Sequence, residues 1–423
     1  MKKKILKFIW FICFSTSIFA QQNQQFSPAK NPETVGFSTE RLARLDKHLQ
    51  NLIDQGIAPN AVTFIARKGQ IVHHKAFGVS SLEKNLPLKK DDIFRIASQS
   101  KAITSVALMM LFEEGKFLLE DPVSKYIPAF ANMTVLESFD TNTKQYKTRP
   151  AKSQVTVRQL LTHTAGIPYE HPLDVLPEFK MPYFCSLEKE TLAEVVQKIA
   201  KRPLLHDPGE KFTYGLNTDV VGYLVEVLSG MSLDAFFRKQ IFLPIGMKDT
   251  YFYLPENKAD RLVFLYSKNE NNSKLAINPN AAYRNYPISG AKTYFSGGAG
   301  LVSTAEDYAK FCQMLLNGGT FNGKRLLSSK TVAMMTRNQI ENLEVWNRQD
   351  KFGFGFQIVT DKSHYGDNAS TGAYMWGGMY CSEYTIDPKE ELILLIFTNV
   401  QPYAHYEDFV RKFRILVYQA LEK

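Results

Sequence analysis

Between Thr39 and Gln55 the apolar residues Leu42, Leu45, Leu49 and Ile53 recur at helical spacing, which predicts a helix with one buried stripe. Two runs follow, Ala61–Arg67 and Gln70–Phe77, and Lys68-Gly69 between them predicts a pair of strands joined by a turn. A segment apolar almost all round begins near Ser98 and stops at Gly115, which predicts a buried helix with a glycine cap. Helical patterns return at Val220–Val227, closed by Ser229-Gly230, and at Ala305–Leu316. The tail then reads as strands around Gly355–Val359, Tyr374–Gly378, Glu383–Ile386 and Leu392–Phe397. An amphipathic helix over about Tyr406–Leu421 closes the chain.

Strands therefore gather at both ends, while residues 121–294 alternate helical segments with Pro- and Asn-rich loops. This order predicts an α+β, two-lobe fold in one domain over residues 36–421. One sheet completed by both termini and flanked by helices would occupy residues 36–120 and 295–421, with a mainly helical lobe inserted at 121–294. No internal repeat is present.

The first twenty residues combine Met1-Lys-Lys-Lys4, the short apolar run Phe8–Phe14 and a small residue at Ala20, the pattern of a cleaved secretory signal. Residues 21–35 are Gln- and Asn-rich and read as a tether. The expected mature protein is periplasmic or secreted, without a membrane span. Losing residues 1–20 removes Lys2, Lys3, Lys4 and Lys7 and no acid, so the formal charge falls from +9 to +5. With no arginine-rich stripe, that balance gives no support for nucleic-acid binding. Cys185, Cys312 and Cys381 are few and odd in number, so no disulfide scaffold is expected. No cofactor or metal site is expected: His73-His74 would point to opposite faces of a strand, and His163 reads as a loop stabiliser. A small acyl compound is the expected partner, and no oligomeric state follows.

Ser-x-x-Lys occurs at Ser27, Ser81, Ser98, Ser186 and Ser289, so the motif alone says nothing. The copy at Ser98 differs in its surroundings. It opens the buried helix, and Lys101, three positions on, projects on the same face. A lysine in such a helix is costly to bury unless partners hold it or chemistry uses it as an amine.

Ile93–Lys101, Glu113–Pro128, Val157–Ile167 and Gly300–Phe311 together resemble the class C β-lactamase and penicillin-binding protein family of serine hydrolases. The resemblance is nearest to its family VIII carboxylesterase branch and runs from about residue 36 to 420. It implies a β-lactamase/transpeptidase-like fold, Ser98 as nucleophile, and Lys101 with Tyr214 as the groups that move its proton. The family's Tyr-x-Asn becomes Tyr214-Gly215-Leu216-Asn217, which places Asn217 one residue late as a substrate-binding candidate. The third family motif, on an edge strand of the sheet, is matched by Trp376-Gly377-Gly378. These residues are assigned to substrate binding, and the amides of Ser98 and Met379 to an oxyanion hole.

Trp376 replaces a lysine that would bind a carboxylate, so an apolar pocket and small neutral esters are expected, with hydrolysis and acyl transfer both open. The alternatives are a D-Ala-D-Ala carboxypeptidase, a weak β-lactamase, a D-aminopeptidase or amidase, and a non-catalytic cell-wall-binding homologue.

Overall fold

The computed structural model describes residues 25–268, 274–346 and 348–422. The proposed signal sequence lies outside the described residues. Among the described residues no single helix is long and apolar enough to cross a membrane.

We label α1 (Thr39–Asp54), β1 (Asn60–Arg67), β2 (Gln70–Ser81), α2 (Ser100–Glu113), α3 (Asn217–Ser229), α4 (Ala305–Leu316), β3 (Tyr374–Gly378), β4 (Ser382–Asp387), β5 (Leu392–Phe397) and α5 (Lys412–Tyr418). The main sheet runs Ser27–Pro28, β2, β1, β5, β4, β3, Gln357–Ile358, Lys351–Phe352. Its pairings are antiparallel except that Ser27–Pro28 joins β2 in parallel.

The central strands explain their own composition. Along β5, Leu392, Leu394 and Ile396 enter one apolar cluster with Leu42, Leu45, Leu49 and Leu52 of α1 and Phe413 and Val417 of α5. The alternate residues Ile393, Leu395 and Phe397 enter the other cluster, with α2 and α4. Period-two alternation with both faces covered produces an unbroken apolar strand.

Several elements differ from the sequence reading. In the described part of the expected tether 21–35, Ser27–Pro28 pairs with β2 and Val35 is buried in the cluster under α1, so this stretch belongs to the folded domain. The middle segment carries a hairpin, Thr134–Phe139 with Tyr146–Pro150, and Tyr266–Lys268 joins Ala276–Ile277 and Val400–Tyr403 in a small sheet. The hairpin strands are mostly exposed, so polar side chains mask their alternation. β3 is not a full edge strand, because Gln357–Ile358 pairs with Met375 and Tyr374. The closing helix begins as a π-helical turn, Glu407–Arg411, and its Arg414 is wholly buried against Glu383 and Asp367.

Candidate active site

Ser98 sits in a 3-10 turn, Ala97–Gln99, that feeds into α2. Ala97 holds a φ of +42°, a left-handed conformation that a residue with a Cβ adopts at a cost. β3 packs directly beneath this turn. A Cβ on Gly378 would lie 2.3 Å from the Ile96 carbonyl oxygen, so the absence of a side chain lets strand and turn meet. Met379 follows in the turn closed by the Cys381 amide donating to the Gly378 carbonyl at 2.9 Å.

Lys101 is 2% exposed. Its Nζ lies 3.2 Å from Ser98 Oγ, 2.7 Å from Tyr169 OH and 2.7 Å from the Gly298 carbonyl oxygen. An ammonium has three donors, and three acceptors surround this one. The carbonyl of Gly298 can only accept, and Tyr169 OH accepts as well. In the amine form both N–H groups can therefore be donated to these two acceptors, leaving the lone pair for Ser98.

Tyr169 is a site residue that the sequence reading missed. Burial, followed by the neighbouring Tyr214 and Asp219, pushes its phenol well above its ordinary range, so it stays protonated. The available signal was an aromatic residue just after the His163–Ile167 segment.

Asp219, on the first turn of α3, was also missed. It accepts from Ser296 Oγ at 2.7 Å and Tyr294 OH at 3.0 Å, and the Gly298 amide also bonds to it. Burial raises its carboxyl above the usual value despite those donors and the nearby Lys101. An acid in the first turn of a largely apolar helix was its only local signal. Asp219 thus fixes the segment whose carbonyl meets Lys101.

Tyr214 places its ring 4.7 Å from Lys101 Nζ, measured to the ring centroid. Its hydroxyl accepts from Trp376 Nε1 at 3.2 Å. Ser98, Tyr214, Trp376, Gly377, Gly378 and Met379 line one pocket of about 240 Å³.

Asn217 requires a correction. It is fully buried at the start of α3, and its Nδ2 contacts His163 Nδ1 at 3.0 Å and donates to the Ile167 carbonyl at 3.0 Å. It braces the loop and does not reach the pocket. Burial, then Lys101, holds His163 well below 6.5, so its ring is neutral and can accept at Nδ1.

The expected apolar pocket is corrected too. Trp346, Arg348, Tyr365, Glu383 and Tyr406 also line it. They come from segments without a recognisable motif. Trp346 stacks on Trp376, with ring centroids 5.4 Å apart and 29° between planes.

The family model described as Beta-lactamase matches residues 45–419. The chain belongs to the beta-lactamase family. It is 29% identical over 364 residues to Protein Rv1367c of Mycobacterium tuberculosis, covering 82% of this chain and 87% of that protein. A Salmonella typhimurium protein, provisionally named D-alanyl-D-alanine carboxypeptidase, is 28% identical over 416 residues, covering 92% of this chain and 89% of that one. Among solved structures, EstCE1, described as a hydrolase with promiscuous acyltransferase activity, superposes with a TM-score of 0.75. It is 24% identical, with 90% of this chain and 98% of that one covered, and supports the fold. The β-lactamase/transpeptidase-like fold and membership of a serine hydrolase family are thus established. Of the residues that deviate from the family pattern, Trp376 lines the pocket, and Leu216 is buried in the main apolar cluster just before α3.

Proposed function

We propose that this member of the beta-lactamase family cleaves or transfers acyl groups of small carboxylic esters through an acyl-enzyme on Ser98. The observation that carries the reading is the 3.2 Å contact between Ser98 Oγ and a buried Lys101 whose other two partners, Tyr169 OH and the Gly298 carbonyl, can both accept from it. Lys101 as an amine takes the Ser98 proton while Oγ attacks the ester carbonyl. The amides of Ser98 and Met379 receive the oxyanion. As the intermediate collapses, Tyr214 relays the proton from Lys101 to the departing alkoxide, releasing an alcohol. Water, or a second alcohol, then repeats the sequence on the acyl-enzyme and restores free Ser98.

Esters are favoured over amides because Leu216 stands where the family pattern has asparagine, and Asn217 is committed to the loop. The second reading, a D-Ala-D-Ala carboxypeptidase or β-lactamase, is supported by the name of the Salmonella relative. Rates on p-nitrophenyl acetate and butyrate beside a chromogenic cephalosporin, for wild type and Ser98→Ala, decide between them. Ester turnover that exceeds cephalosporin turnover and disappears in Ser98→Ala is expected. Ester turnover surviving the substitution contradicts the mechanism, and dominant cephalosporin turnover favours the second reading.

Export is part of the proposal. N-terminal sequencing of the protein recovered outside the cytoplasm should begin at Gln21. An intact Met1 on all of the recovered protein would contradict cleavage.

A further inference from the structure

Of the charged side chains lining the pocket, Glu383 is already committed. Its carboxylate pairs with the buried Arg414 and accepts from Tyr406 OH at 2.8 Å. Arg414 and Arg411 are in turn paired with Asp367, and Arg411 with Glu407. Arg348 is built differently. Its guanidinium carbon lies 4.2 Å from the Tyr365 ring centroid and 5.2 Å from that of Trp346. Among the described residues its side chain forms no ion pair and donates no hydrogen bond, although the field of Arg348 reaches the buried Asp350.

Stacking on rings occupies the faces of a guanidinium and leaves its N–H donors in the plane, where a carboxylate can accept two of them. The same pocket has lost the family's lysine at Trp376, and Trp376 stacks on Trp346, against which Arg348 packs. A cation has therefore been supplied from a different segment of chain.

We infer that Arg348 binds a carboxylate carried by the substrate, so that the preferred compounds are esters with an anionic group close to the reacting carbonyl. This deepens the Ser98 ester reading and rests on it. The carboxylate can belong to the acyl part, as in the half-ester of a short dicarboxylic acid, or to the leaving alcohol.

Two matched pairs separate these sources. The first is p-nitrophenyl butyrate against mono-p-nitrophenyl glutarate, and the second is phenyl butyrate against m-carboxyphenyl butyrate. Wild type should favour the anionic member of at least one pair in kcat/KM. In Arg348→Gln that preference should fall about tenfold or more, mainly through KM, the scale of a lost charge-assisted pair. Arg348→Lys should retain part of it. Turnover of the neutral esters with no anion preference, or a preference unchanged in Arg348→Gln, overturns the assignment of Arg348 while leaving the Ser98 mechanism standing. No turnover of any of the four esters overturns both.

Discussion

The two sides of Lys101 are built on different plans. Behind it, Tyr169, the Gly298 carbonyl and Asp219 form a closed set in which each polar atom has a partner supplied from a distant part of the chain. In front, Tyr214 offers Lys101 a ring face, its hydroxyl is engaged by Trp376, and the pocket beyond is walled by aromatic rings with polar tips. The contrast separates two tasks. Orientation of the amine is set from the buried side, where partners do not change. In the proposed mechanism, proton traffic belongs to the open side, where a hydroxyl can exchange one partner for another during a reaction.

The contrast breaks most completely if the amine itself is removed. Lys101→Met keeps the volume and the apolar contacts of α2, so kcat on p-nitrophenyl butyrate should fall about 1000-fold or more. The melting temperature should fall by no more than a few degrees, the cost of leaving the Gly298 carbonyl without its donor. A large loss of stability with modest loss of rate would make Lys101 a structural residue.

The two tyrosines sharpen the comparison next. Tyr214→Phe should lower kcat about 100-fold, as expected for a lost proton relay, and Tyr169→Phe about tenfold, through misorientation of Lys101. The reverse order would move the relay to the buried side. Asp219→Asn should come next, with turnover down several-fold and a lower melting temperature, because Ser296, Tyr294 and the Gly298 amide share one carboxylate. An unchanged rate would show that the Gly298 segment needs no such anchor.

The smallest expected effect concerns acid stability. Burial holds the His74 imidazole down to about 4, and His163 is likewise held below 6.5. Unfolded, both titrate near 6.5. Between those values the unfolded chain binds more protons, so stability present at neutral pH is lost as pH falls from about 6.5 toward 4. His74→Phe keeps a ring beside Phe64 and should reduce the fall in melting temperature between pH 7 and 5 by about one or two degrees. An identical fall in the variant would assign the acid sensitivity to other groups.

Much of this arrangement was legible in the chain, for reasons that differ by residue. Ser98 and Lys101 stand out because a lysine inside an apolar helix is costly and needs an explanation. β5 reads correctly because its two covered faces leave no polar gap. The closing helix was placed by its amphipathic period, but that period gives no hint that Arg414 turns inward to Glu383. Tyr169 and Asp219 escaped because their local signals are weak, and their importance comes from contacts made across the fold. Asn217 was misread for a related reason: a one-residue shift at the start of a helix turns a side chain to a different face. Arg348 and Tyr365 lie in irregular segments, where neither periodicity nor motif applies.

The central claim, that Lys101 activates Ser98 for acyl transfer, is tested most directly by intact-protein and peptide mass spectrometry after brief reaction with p-nitrophenyl butyrate and acid quenching. The account predicts a butyryl adduct on the peptide carrying Ser98, absent from Ser98→Ala and strongly reduced in Lys101→Met. An adduct on another residue, or one that forms as fast without the lysine, would contradict it.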